Sequence, residues 1–342
     1  MTESEKVARR LSMKTEGTSG RLSVSINAVP RMGEFALKER YHVEKYDLSA
    51  GYYISDSLKG LVPTDVPEYV DEGENYVAKI MRALYYFKQC ALIGPSGTGK
   101  THIVYLVSKI AGLPLWEINC GLQTSVYDLF GRFVGLGKEN WVDGQIVSWC
   151  RYGGILYLDE ANMMRQDVAT RLNPILDARG HLVLIEKDNE VIPRHKHGYV
   201  VISMNPYSAE FAGTKPLNAA FRRRMSVWID FDYLSVGSKI SEREVSMISE
   251  RGGVDRDTAE RIVRVAAEMR KRYKNGDLPY GPSVGDLLNW ATLVADGLTL
   301  AGAAEETIIS LTSDDAELQE SVRRIVHLVV GEGAGVSKNA SL

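Results

Sequence analysis

The sequence predicts an α/β fold built on a parallel sheet and followed by a small all-α domain, on three observations. Short apolar runs ("CALIG", "LPLWEINC", "GGILYLDE", "GYVVISMNP", "SVWIDFD") alternate with helical or turn-rich segments between Asn75 and Tyr233, the pattern of strands covered on both faces. Beyond Tyr233 such runs stop and helix-periodic stretches take over. The chain has 342 residues, 44% hydrophobic and 25% charged, enough for one large and one smaller domain with a real core.

Residues 1–74 read as an N-terminal arm and linker, partly disordered. The first 20 are rich in Ser, Thr, Glu, Lys and Gly, and "RLSVSINAV" is a β-like run whose role periodicity does not assign. From Asn75 the pattern sharpens. Val77, Ile80, Met81 and Leu84 fall on one helical face and lead into "CALIG"; Ile103, Leu106, Val107 and Ile110 repeat the spacing before Gly112 and Pro114 stop the helix. Residues 75–233 are the expected α/β core and 234–331 the helical domain. Ser241 to Glu244 and Asp257 to Glu260 have capping-box spacing there. Ala259, Ile262, Val263 and Ala266 form one buried stripe, and Leu287, Trp290, Ala291 and Val294 another. Residues 332–342 are an expected disordered tail.

A net charge of −3 gives no global positive field for indiscriminate binding to nucleic acid or anionic membrane. Cys90, Cys120 and Cys150 are odd in number and scattered, which argues against a disulfide framework or zinc site and fits a reducing compartment. With no apolar stretch long enough to span a bilayer and no signal-like segment, the expectation is a cytoplasmic protein.

Chemistry concentrates between Gly94 and Arg224. The segment Gly94, Pro95, Ser96, Gly97, Thr98, Gly99, Lys100, Thr101 matches G-x-x-x-x-G-K-[ST] after an apolar strand and before an amphipathic helix that continues with His102. Its glycines let successive backbone N–H groups face phosphates at the positive end of the helix dipole. Lys100 is placed to reach the β and γ phosphates of ATP, and the Thr101 hydroxyl to complete Mg²⁺ coordination. "ILYLDE" delivers Asp159 and Glu160 to a strand end: Asp159 for the Mg²⁺, Glu160 to orient and deprotonate the attacking water. "VVISMNP" presents Asn205 at the same edge, where an amide can position that water. "LNAAFRRRM" carries Arg222, Arg223 and Arg224 just before the last core strand; one could reach a neighbouring subunit's γ-phosphate as an arginine finger, or the run could be a solvated charge cluster.

In this order the four elements resemble the AAA+ ATPases, as Walker A, Walker B, sensor 1 and finger, over roughly Asn75 to Val329. The stretch from "DLFGRFVGLGKENW" to "RLNPILDARG" resembles the MoxR branch with its NorQ and CbbQ relatives and the related midasin and dynein modules. The resemblance implies two insertions: Gly131 through Asp143 within the second core helix, and a β-hairpin "LVLIEKDNEVIPRH" before sensor 1, turning at Asp188 and Asn189. It further implies a helical lid, a homo-oligomeric ring, hexameric in the family, a protein client met near the pore, and a partner with a von Willebrand factor A domain. Arg224 takes the finger position by the same alignment. His195 and His197 near the second insertion are expected at the surface and not as metal ligands. One departure stands out: the family's sensor 2 arginine has Gly285 in its place, so a nucleotide switch with little turnover is an alternative. A DNA-directed motor is a second one, which the mixed charges of the insertions (Arg132 and Lys138 beside Glu139 and Asp143) do not favour.

Overall fold

The computed structural model describes residues 32–121, 124–135, 140–206 and 217–331. The β-like run 21–29, the arm before it and the tail 332–342 lie outside them. After helix α1 (Met32–Arg40) the chain runs through loops and a short 3₁₀ turn to α2 (Tyr76–Phe87), β1 (Gln89–Ile93), α3 (Lys100–Ala111) and β2 (Leu115–Asn119). Then come α4 (Val126–Phe130), β3 (Gly131–Phe133), β4 (Trp141–Asp143), α5 (Gln145–Tyr152), β5 (Gly154–Asp159) and α6 (Gln166–Leu176). The α/β part closes with β6 (His181–Leu184), β7 (Glu190–Pro193), β8 (Gly198–Met204), α7 (Ala219–Arg222) and β9 (Trp228–Asp230). Helices α8 (Glu242–Gly252), α9 (Arg256–Asn275), α10 (Val284–Ala295), α11 (Leu300–Ala304), α12 (Ser310–Thr312) and α13 (Ala316–Val330) follow.

The five core strands form one sheet in the order β2-β5-β8-β1-β9, all parallel. Both faces are covered at the centre of the sheet, so β1, β5 and β8 are mostly apolar, while the edge strand β2 exposes Glu117 and Asn119. Along β5, Ile155 and Tyr157 enter the layer formed with α2 and α3, while Leu156 and Leu158 enter the opposite layer with α5 and α6, as the two-residue period of a strand demands. Val43, Leu48, Tyr52 and Val66 belong to the first layer, so the segment ahead of α2 contributes to the core. The three cysteines are buried and free, and burial pushes each thiol up to about 12.

Two antiparallel hairpins lie outside the five-stranded sheet, at the two insertions the family resemblance implies, the second of which it gives as a hairpin. β3 pairs with β4 between α4 and α5; β6 pairs with β7, turning through Asp188 (φ 53°) and Asn189 (φ 60°). Arg151 bridges them, donating to Asp143 of one (2.8 Å) and Glu190 of the other (2.7 Å).

The helical domain has its own core, with Ile262, Val263, Trp290, Val322 and Ile325 buried. Three sequence expectations are corrected here. α9 is capped by Asp255, whose side chain accepts from Thr258 N, rather than by Asp257. Ser241 does cap α8, but Glu244 turns away from the cap into a fully buried ion pair with Arg270. His197 is buried instead of superficial, its Nδ1 3.1 Å from the Leu48 carbonyl, because residues 43–52 fold over the start of β8. No helix among the described residues is long and apolar enough to cross a membrane.

Candidate active site

β1, β5 and β8 end on the same edge of the sheet, the position at which parallel sheets present ligand-binding side chains. There Ser96, Gly97, Gly99, Lys100, Thr101, His102, Asp159, Glu160 and Asn205 line a cavity of about 230 Å³. Gly94, Pro95 and Thr98 complete the loop behind it.

The loop is held at close quarters. A Cβ on Gly94 would lie 2.4 Å from the Phe231 carbonyl, and Gly97 and Gly99 have φ of 76° and 83°. Lys100, the first residue of α3, is 8% exposed. Its ammonium donates to the carbonyls of Gly94 and Pro95, both at 2.7 Å, and to Asn205 Oδ1 at 3.1 Å. Burial lowers its pKa to about 8, against an upward pull from Asp159 and Glu160. A buried cation ringed by neutral oxygens is suited to an anion, which would supply the charge those carbonyls lack.

Thr101 Oγ1 donates to Asp159 Oδ2 at 3.0 Å. The other oxygen, Oδ1, accepts from Ser203 and from the Glu160 amide. Tyr157 links Thr101 to Ser203. A hydroxyl and a carboxylate are hard oxygen donors suited to magnesium, which takes few protein ligands and draws the rest from phosphate and water. Glu160 is exposed to the cavity with φ 52° and ψ 43°, a left-handed conformation rare outside glycine that strains the backbone at this point.

His102 borders the cavity, stacked on Tyr69, with its Nε2 2.9 Å from the Pro67 carbonyl. Sequence reasoning missed Tyr157, Ser203, Tyr69 and Tyr233. The first two carry a weak signal, polar atoms inside otherwise apolar strands; the other two lie in segments without motif.

The arginine run does not line this cavity. Arg224 is tied down, donating to Ala220 O at 2.7 Å and lying 3.6 Å from Asp177. Arg222 stacks over Trp228 at 4.3 Å. Arg223 is exposed and has no partner among the described residues.

Residues 89–225 match the profile of the AAA domain, dynein-related subfamily, and residues 244–329 that of the CbbQ/NirQ/NorQ C-terminal domain. The chain is 32% identical to Protein NorQ of Paracoccus denitrificans (strain Pd 1222) over 268 residues, 78% of this chain and 95% of the relative. It is 32% identical to Protein CbbQ of Hydrogenophilus thermoluteolus over 234 residues, covering 68% and 84%. With the Denitrification regulatory protein NirQ of Pseudomonas aeruginosa (PAO1) it shares 31% over 241 residues, covering 70% and 88%.

Proposed function

Because this chain belongs to the MoxR-type AAA+ ATPases, the family of NorQ, CbbQ and NirQ, we propose that it hydrolyses ATP with Mg²⁺ and uses the cycle, as a hexameric ring, to remodel a protein client. The observation that carries this reading is the meeting of Lys100, Thr101, Asp159, Glu160 and Asn205 around one cavity behind the glycine-rich loop. In it, residues 75–233 are the nucleotide-binding core and 234–331 the lid.

Backbone N–H groups of the loop and Lys100 bind the phosphates. Thr101 and Asp159 would hold a magnesium ion, which would supply charge neutralisation to the bound phosphates. Tyr157 and Ser203 fix the Asp159 carboxylate, so its rotamer is set before ligand arrives. Glu160 is free to take the proton of the attacking water, and Asn205, already oriented by Lys100, positions that water. A guanidinium from the neighbouring subunit stabilises the transition state. The alignment favours Arg224, whereas the exposure of Arg223 and its lack of a side-chain partner among the described residues favour Arg223.

Apolar side chains on the hairpins support contact with a protein client: Phe133, Val134 and Val142 on the first and Ile185 and Val191 on the second are exposed. We further propose a partner bearing a von Willebrand factor A domain, as the family resemblance implies, and a cytoplasmic location. Gly285 favours one second reading, a nucleotide switch of low turnover. The deciding experiment measures phosphate release and mass in solution with ATP and magnesium. Hexamers with turnover abolished by Glu160→Gln support remodelling; a monomer that holds ATP intact for hours supports the switch.

A further inference from the structure

We propose that Tyr233 and Arg270 are positioning residues that pass the state of the phosphate-binding loop to the lid through the loop's outer backbone. The inference rests on reading Gly94–Thr101 as the nucleotide loop. At the start of α10, where a side chain could have touched nucleotide, Gly285 has none, and an added Cβ would meet only Ser283 Oγ, at 3.5 Å.

The lid instead touches the loop itself. The Tyr233 hydroxyl donates to Ser96 O at 2.9 Å and, at 3.3 Å, to Gly281 O in the segment entering α10. A Cβ on Gly97 would lie 2.4 Å from the Ser283 Cβ, so the loop and the cap of α10 are in direct contact. Arg270 closes the arrangement. Its side chain is 1% exposed, lies 4.7 Å over the Tyr233 ring and donates to Pro282 O (2.8 Å), Ser235 O (3.2 Å) and the Glu244 carboxylate (3.0 Å). One guanidinium therefore fixes the hinge after β9, the segment before α10, and α8.

Peptide planarity makes this a reporter. Ser96 C=O and Gly97 N–H belong to one rigid plane and point in opposite directions. A phosphate held by the Gly97 N–H would pin the plane in the orientation seen here, with the Ser96 carbonyl on Tyr233; without that anchor only Tyr233 holds the plane, which can rotate and leave Tyr233 with Gly281. The Thr98 carbonyl is held similarly from outside by Tyr69, at 3.0 Å, so the 96–97 plane is the one that answers to the lid.

The test compares full-length wild type with Tyr233→Phe, which keeps the ring under Arg270 and removes only the hydroxyl. ATP affinity and melting temperature are measured first, then amide hydrogen exchange of residues 281–285 with and without ATP and magnesium, then kcat and KM. Expected are an affinity within about threefold of wild type, loss of the ATP-dependent protection of 281–285, and kcat reduced about tenfold at unchanged KM. Arg270→Lys, which retains the charge beside Glu244 but not the fork that spans Ser235 and Pro282, should act in the same direction. Tyr233→Phe/Gly285→Arg should recover the ATP-dependent protection by a direct contact. Tyr233→Phe with undiminished protection and kcat overturns the inference, as does a parallel loss of stability and affinity, which marks a purely structural role. Failure of wild type to bind ATP sinks the underlying reading of the loop and is seen in the first measurement.

Discussion

Lys100 combines near-complete burial with the absence of a direct carboxylate partner among the described residues, and its depressed pKa has a consequence for binding. In the nucleotide-free protein it loses its proton near pH 8, well below the ordinary lysine value, because burial penalises the charged form. A triphosphate favours the charged form and raises that pKa. ATP binding should therefore take up a proton at pH 8.5 but not, through this group, at pH 6.5, and affinity should fall as pH rises from 8 toward 10. Calorimetry in buffers of different ionisation enthalpy checks both. At the same scale, Glu160→Gln should reduce hydrolysis by about 10²-fold or more while ATP remains bound, since only the proton acceptor is lost. Equal turnover in the variant would remove Glu160 from its assigned role.

Among elements, α7 and the lid helices carry the most specific expectations. Arg223→Ala should leave the melting temperature unchanged, because that side chain has no partner among the described residues, so a large fall in turnover would identify it as the residue acting in trans. Arg224→Ala removes the contacts to Ala220 and Asp177, whose carboxyl Arg179 chiefly, and Arg224 more weakly, holds down to about 2. Its effect on turnover should come with a modest loss of stability, and mixing each variant with Glu160→Gln subunits separates action in trans from action within a chain. Inside the lid, Glu244→Ala strands the buried Arg270 cation and should cost about 3–5 kcal/mol in chemical denaturation of that domain. The hairpins, joined through Arg151, should lose client engagement rather than fold when Phe133 and Val142 are replaced by serine. A fluorescence binding assay with unaltered basal turnover checks this.

On the scale of the molecule, the chain is a nucleotide-binding α/β body with a helical lid that meets it at the phosphate loop. Much of this was legible in the residues. Strand and helix periods gave the layers, since a chain must bury its apolar atoms on the faces that backbone geometry presents. The loop from Gly94 to Thr101 and the carboxylates at the end of β5 were legible because the AAA+ pattern requires those residue types in consecutive positions. What stayed illegible was whatever depends on side chains distant in sequence. Glu244 left its cap for Arg270 because a partner 26 positions away outweighed the local hydrogen bond; Asp255 in place of Asp257 was a local choice between two acidic residues, settled by the bond to Thr258 N. His197 went under residues 43–52, which periodicity left unassigned. The three arginines were indistinguishable as a run; only packing of Arg222 on Trp228 and of Arg224 by Asp177 set those two apart from Arg223, which has no side-chain partner among the described residues. The amino-acid order alone therefore determined the fold class, the glycine-rich loop and the chemical character of the sheet edge beside it, all set by local spacing. Tertiary structure alone decided which carbonyls hold Lys100, which arginines are engaged among the described residues, and that the loop meets the lid through Tyr233, because each is a contact between segments whose sequences carry no record of one another.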